Sequence, residues 1–381
     1  MDTIEQMLSM LLGGAVEVLD ISPDLQQLAV DRYEEVGNWL AEYADVRCDV
    51  FPQGSFRLGT VVRPATATGE YDIDLVFRML IAKEDTSQAQ LKADVGDLLN
   101  SYANWKKVHG HTDGPTGLHD RRRCWTLDYT DHGFHLDVLP AIPDTRFPPT
   151  GILLTDKQLF HWQHSDPIQY SSWFRGRSKE LQRKLIAAAE ARQMNVGEVP
   201  EWTVRSTLQR VVQVLKWHCM LYFADNCDDR PPSILLTTLA AKAYRGETDL
   251  VIAAQTVLAG MHDHIETRNG KYWVPNPAHE KENFADKWND YPRRRDAYLA
   301  WHHDISTTLN DVAGMQGAGL QAVTARLEKS FGRNEIRLSA KRYGKQLAEQ
   351  REAGNLRLRP SGLLSTSAIG TVVPNHTFYG R

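Results

Sequence analysis

The chain has 381 residues, 42% hydrophobic and 24% charged, the balance of a folded protein with enough apolar mass for one large domain or two ordinary ones. Lysine and arginine total 44 against 48 acidic residues, and the net charge of −4 argues against a constitutive grip on long DNA or RNA. Cys48, Cys124, Cys219 and Cys227 form no CxxC pair, and there is no uncharged apolar run of about 20 residues. Neither a disulfide framework nor a membrane span is expected.

Residues 1–45 read as two bracing helices, the second opened by Ser22-Pro23-Asp24, a capping residue followed by proline in the first turn. Residues 46–150 change to a mixed α+β pattern. Short β-type runs at 48–51, 71–77, 124–130 and 134–142 surround a helix expected over 87–105. Pro143, Pro148 and Pro149 mark an irregular connector, and the domain junction is placed beside it. Residues 151–353 are expected to be an all-helical lobe, with helical period over 168–193, 204–225, 233–245, 250–267, 282–309, 320–331 and 335–352. Residues 354–381 are rich in Ser, Thr, Gly and Pro and read as a flexible tail. The N-terminus has no basic leader, so a cytoplasmic protein is expected, and a monomer is the expected state.

The chemistry concentrates on two of the β-type runs. In Tyr71-Asp72-Ile73-Asp74-Leu75 the two acids fall on one face of a strand, about 6 to 7 Å apart along the backbone. Paired carboxylates repel and call for a cation, and hard oxygen donors suit Mg2+, with Mn2+ as an alternative. Asp137, in His135-Leu136-Asp137-Val138-Leu139, is a third acid in an apolar run, where an unpaired charge is costly. Three such carboxylates can hold two metal ions for phosphoryl transfer. A DxD pair taken alone can equally be a solvated strand edge.

Some dozen residues earlier, Gln53-Gly54-Ser55-Phe56-Arg57-Leu58-Gly59-Thr60 supplies glycines that let a ligand approach the backbone, and amides with a hydroxyl that can cradle an anion. This turn, the DxD strand and the later Asp137 together resemble the polymerase beta-like nucleotidyltransferases. They look in particular like the cyclic GMP-AMP synthase/DncV-like synthases of cyclic oligonucleotides (CD-NTases) in anti-phage signalling. Ser165-Asp166-Pro167, Leu208-Gln209-Arg210, Pro232-Ser233-Ile234-Leu235, Asn276-Pro277 and Glu282–Trp288 are similar to the helical, oligoadenylate-synthase-like half of the same family.

The resemblance implies catalytic and metal-binding roles for Asp72, Asp74 and Asp137, and triphosphate binding by Gln53, Gly54, Ser55, Lys216 and Ser233. It implies ATP and possibly GTP as substrates, an adenine-containing cyclic trinucleotide of clade D type as product, and capture of the Phe378-Tyr379-Gly380 ending by a ubiquitin-transfer-like conjugating enzyme. A tRNA-tailing or protein-nucleotidylating transferase, or a nucleotide-binding scaffold without chemistry, is the alternative. From the residues alone, Lys216 could be a surface lysine and Arg57 either a local partner or a phosphate ligand. Arg121–Arg123 are expected to face solvent or acids. His109, His111, His119, His132 and His135 read as loop histidines, and Trp202, Trp217, Trp273 and Trp288 as core.

Overall fold

The computed structural model describes residues 4–63, 69–157, 162–178, 205–315, 317–360, 362, 364–366 and 369–374. They divide into two compact units. A strand-rich unit lies within Ile21–Lys179 and Trp273–Phe284, and a helical unit within Met1–Asp20, Glu180–Tyr272 and Ala285–Arg381. The first helix, α1 (Ile4–Val18), thus goes with the helical unit, whereas residues to 178 and the 273–284 segment go with the strands. Both assignments differ from the four consecutive segments suggested by the sequence.

The strand-rich unit starts with α2 (Pro23–Tyr43), capped by the Ser22 hydroxyl accepting from the Leu25 amide with Pro23 in the first turn, as its sequence requires. Then come β1 (Cys48–Gln53), the short α3 (Gly54–Leu58), β2 (Tyr71–Met79), α4 (Gln88–Val108), β3 (Gly117–Asp120), β4 (Trp125–Tyr129), β5 (Phe134–Pro143), β6 (Ile152–Leu154), β7 (Gln163–Ser165) and α5 (Pro167–Gly176). The sheet runs β1-β2-β5-β4-β3, with β6 added on β5 and β7 on β6. Among the described residues of this sheet, β2 and β5 are the only parallel neighbours.

Strand alternation decides the two faces. Ile73, Leu75 and Phe77 of β2, Leu136 and Val138 of β5, and Leu127 and Tyr129 of β4 are buried in one core with Val36 and Leu40 of α2 and Leu91, Val95 and Leu99 of α4. Each such Leu, Val or Phe contributes about 1.5–3 kcal/mol on burial. On the opposite face Val76, Leu139, Ala141, Ile152 and Leu154 form a smaller cluster with Phe51. The polar positions Asp72, Asp74, His135 and Asp137 share the parity of this second face.

The helical unit adds Thr207–Tyr222, Ser233–Ala243, Leu250–Gly260, Pro292–Ala313, Gly319–Phe331 and Arg333–Glu352 to α1. Ser206 and Gln209 form a reciprocal capping box at the first of these. Trp217 and Trp288 are buried as expected, and Trp273 is partly buried; Trp202 lies outside the described residues.

Two helical expectations are corrected. The helix begun at Leu250 ends at Gly260 instead of 267, and Glu266–Arg268 with Lys271–Trp273 form a hairpin across Asn269-Gly270, both at positive φ. The run expected over 282–309 starts as strand, His279–Asn283 pairing with Pro275–Asn276, and becomes helical only in Asp286–Asp290 and Pro292–Ala313. The last residues of the helix expected over 168–193 lie outside the described residues, as do Phe378, Tyr379 and Gly380. Earlier in the expected tail, Arg357–Leu358, Leu364–Ser365 and Thr371–Val372 make a small three-stranded sheet. Among the described residues no helix is long and apolar enough to cross a membrane.

Candidate active site

The register of four strands assembles a polar row. Gln53 of β1 stands opposite Asp74 of β2, Asp74 opposite Asp137 of β5, and Asp137 opposite Thr126 of β4. In the next row Asp72 faces His135, which faces Asp128. Adjacent strands lie about 4.8 Å apart, so the acids predicted from separate runs of sequence become lateral neighbours.

Asp137 is held at both carboxylate oxygens. The Thr126 hydroxyl donates to Asp137 Oδ1 at 2.6 Å, and the Cys124 thiol donates to Oδ2 at 3.3 Å. Burial alone would raise the Asp137 carboxyl, but hydrogen bonds from His135, Thr126 and Cys124 outweigh it and hold the group below its ordinary value. Cys124 responds the other way: burial and the adjacent carboxylate push its thiol up to about 12, so it remains a donor. His135 Nδ1 lies 3.4 Å from Asp137 Oδ1 and 3.7 Å from Asp72 Oδ1. Its interaction with Asp137, aided by the charge of Asp72, raises the imidazole above its usual range against the effect of burial.

Thr126→Val keeps the shape and removes the hydroxyl. It should lower turnover about tenfold with little change in KM or Tm, because the lost hydrogen bond orients the Asp137 carboxylate. Steady-state kinetics with a melting curve checks this, and a rise of about tenfold in KM with turnover unchanged would assign Thr126 to substrate binding.

Asp74 is seated differently. Gly54, at φ +64, lies so close that a Cβ there would come within 1.9 Å of Asp74 Oδ2. The glycine is therefore required both by a left-handed backbone and by the approach of the carboxylate. Ser55 follows in α3, which ends at Gly59 in the left-handed region, with the Thr60 amide donating to the Ser55 carbonyl. Arg57 donates from Nε to Ser171 Oγ at 2.8 Å and from Nη1 to the Pro52 carbonyl at 3.0 Å, tying α3 to α5 and β1. That favours the local-partner reading of this side chain.

Asp72, His135 and Asp137 present ligand atoms all within 4.8 Å of one another, and the Asp72 side chain is 55% exposed. With Asp74 on the same face, these oxygen-rich groups fit a hard divalent cation. Among the described residues, His218, Cys219 and Cys227 form no comparable cluster.

Residues 48–140 match the model of the cyclic GMP-AMP synthase DncV-like nucleotidyltransferase domain. Over those residues the chain resembles that domain family. Most of the sequence is similar to a c-di-GMP synthase from Roseivirga ehrenbergii, 27% identical over 357 residues that cover 91% of this chain and 90% of that protein. It is also similar to the cyclic dinucleotide synthase CdnG of Bradyrhizobium diazoefficiens, 25% identical over 93% of this chain and 88% of the relative. The fold is shared with the structure of that CdnG in complex with GTP, at a TM-score of 0.68 and 22% identity over 90% of this chain and 99% of the other. It is likewise shared with Escherichia coli CdnC in complex with HORMA, at a TM-score of 0.58 and 14% identity over 84% and 96%. The expected α+β polymerase beta-like core and the assignment as a nucleotidyltransferase are thereby supported.

Within the DncV-like domain lie Gln53, Gly54, Ser55, Asp72, Asp74 and Asp137. Lys216 and Ser233 belong to the helical unit. Lys216 is a partly exposed residue of Thr207–Tyr222, and Ser233 is the exposed first residue of Ser233–Ala243.

The DncV-like domain also contains residues that the sequence reading missed. His135 and His119 are strand residues, on β5 and β3, rather than loop histidines. Thr126 and His135 could have been found by carrying strand alternation one step beyond the acids. The arginine turn meets an acid as expected: Arg122 and Arg123 both pair with buried Asp156.

Proposed function

We propose that this chain condenses nucleoside triphosphates into a cyclic oligonucleotide by two-metal nucleotidyl transfer, with Asp72, Asp74 and Asp137 as the catalytic carboxylates. The observation that carries this reading is the shared face of those three residues beside the Gly54 turn. The carboxylates would hold Mg2+, and the bound ions would supply charge neutralisation at the triphosphate and activation of the attacking hydroxyl.

The protein's own groups divide the remaining work. Thr126 and Cys124 fix the Asp137 carboxylate as an acceptor near the attacking hydroxyl. Gly54 admits Asp74 to the edge of the cradle, where Gln53 and the backbone and hydroxyl of Ser55 receive phosphate oxygens. Lys216 and Ser233 are the further triphosphate ligands that the family resemblance implies. A lysine is suited to this as a mobile point charge.

Both curated relatives are cyclic dinucleotide synthases, one of them of c-di-GMP. They shift the expected product from the adenine-containing trinucleotide toward a guanine-containing cyclic dinucleotide serving as a second messenger. The anti-phage role is inferred from the family resemblance.

Incubation with Mg2+ and labelled ATP and GTP, followed by phosphatase treatment and mass spectrometry, tests the product. A phosphatase-resistant cyclic dinucleotide containing guanine is expected. A trinucleotide would restore the clade D expectation, and label confined to tRNA or protein would overturn the proposal.

A further inference from the structure

The strand-rich unit holds a second cluster at the far end of β5, about 20 Å along the strand from Asp137. Asp144, just beyond the strand and 2% exposed, accepts from the Arg146 amide at Oδ1, 3.1 Å away, and directs Oδ2 at two imidazoles. His164 of β7 contacts that oxygen through Nδ1, and His279, on the strand His279–Asn283, brings Nε2 to 3.9 Å from it. The three residues offer ligand atoms all within 4.8 Å of one another.

The imidazoles stack at 5.2 Å between centroids, and Phe147 packs against His279 with its ring tilted by 43° at 3.9 Å. His279 is the unusual member. Its side chain is completely buried, yet neither ring nitrogen makes a hydrogen bond among the described residues. A buried polar nitrogen without a partner is costly, and two on one ring call for a ligand.

We propose that Asp144, His164 and His279 form a three-ligand site for a zinc-class divalent cation, its fourth position left to water, separate from the catalytic carboxylates. Imidazole nitrogens with one carboxylate oxygen are the donor set of borderline metals such as zinc, whereas magnesium favours all-oxygen sites. The amide hydrogen bond to Oδ1 is the kind of support that orients a ligating carboxylate. Metal here pins together three segments distant in sequence: the end of β5, β7 and the 275–283 hairpin.

Arg146 is the competitor. Its Nη2 lies 2.5 Å from His164 Nε2, and its Nε lies 3.6 Å from Asp144 Oδ1. With its side chain 58% exposed, it can turn outward when the metal is present.

The test is elemental analysis of full-length protein purified without chelator, in wild type and in Asp72→Asn/Asp74→Asn, His279→Ala, Asp144→Asn and Arg146→Ala. About one zinc per chain is expected in the wild type, the Asp72/Asp74 variant and Arg146→Ala, with loss in His279→Ala and Asp144→Asn. Because His279→Ala could fail to fold, chelated wild type is also refilled with cobalt. A visible ligand-field band should appear, with recovery of several degrees of Tm, and Asp144→Asn of native circular dichroism should show no such band. Wild type without zinc and without a cobalt band would overturn the proposal, as would folded variants at Asp144 and His279 that keep the metal.

Discussion

Asp137→Asn is expected to reduce product formation at least about a thousandfold, a loss near 4 kcal/mol of transition-state stabilisation, while the protein remains folded. Asparagine has nearly the same shape, and its single Oδ1 can still accept from the Thr126 hydroxyl, which donates to the native carboxylate at 2.6 Å, while its amide group replaces the oxygen that accepts from Cys124 at 3.3 Å. What it lacks is the negative charge. The Asp137 environment is built to keep that charge, since the surrounding donors overcome the effect of burial and keep the carboxyl below its ordinary value. In the metal-free protein the lowered Asp137 carboxyl and the raised His135 imidazole support one another, so neutralising Asp137 should lower Tm by a few degrees at most, partly offset by relief of its repulsion with Asp72. A large fall in Tm would make Asp137 a structural residue, and retained turnover would remove it from the catalytic set.

Gly54→Ala should reduce turnover about a hundredfold and cost on the order of 1–2 kcal/mol of stability. Two independent causes act at this position. The backbone is at φ +64, a conformation that an alanine adopts with strain, and the added methyl would sit 1.9 Å from Asp74 Oδ2. The carboxylate can escape only by rotating away from the turn, which separates Asp74 from the row it shares with Asp137. Ala at Gly133, also at positive φ but with nothing within 4 Å of the added carbon, is the control for backbone strain alone. If both substitutions lower Tm alike and only Gly54→Ala loses activity, the loss comes from Asp74. If Gly54→Ala keeps full turnover, the close approach has no catalytic meaning.

The two sets of residues needed for these predictions were not equally legible. Asp72 and Asp74 could be placed on one face because strand periodicity is a property of the chain itself. Asp137 stood out as a charge in an apolar run. Its register against Asp74 was not readable, because parallel pairing is set by packing between segments some 60 residues apart, not by either segment. His135 was obscured by four nearby histidines of no common spacing, although it lies two residues from Asp137 and so must share its face. The hairpin at Asn269-Gly270 was missed for a related reason: apolar residues at helical spacing carried the helix past Gly260, while the asparagine-glycine pair, the strongest local turn signal there, was given no weight. Asp144, His164 and His279 come from three separate elements, and only the fold brings them together.

The most direct test of the catalytic carboxylate face is the ratio of pyrophosphate released to triphosphate consumed by the wild type in magnesium, alongside Asp72→Asn/Asp74→Asn. Ring closure leaves no triphosphate end, so one pyrophosphate is expected for every triphosphate consumed, with release abolished in the variant. A ratio clearly below unity, the mark of a product that keeps its terminal triphosphate, would contradict cyclisation, and undiminished release by the variant would contradict the placement of the active site.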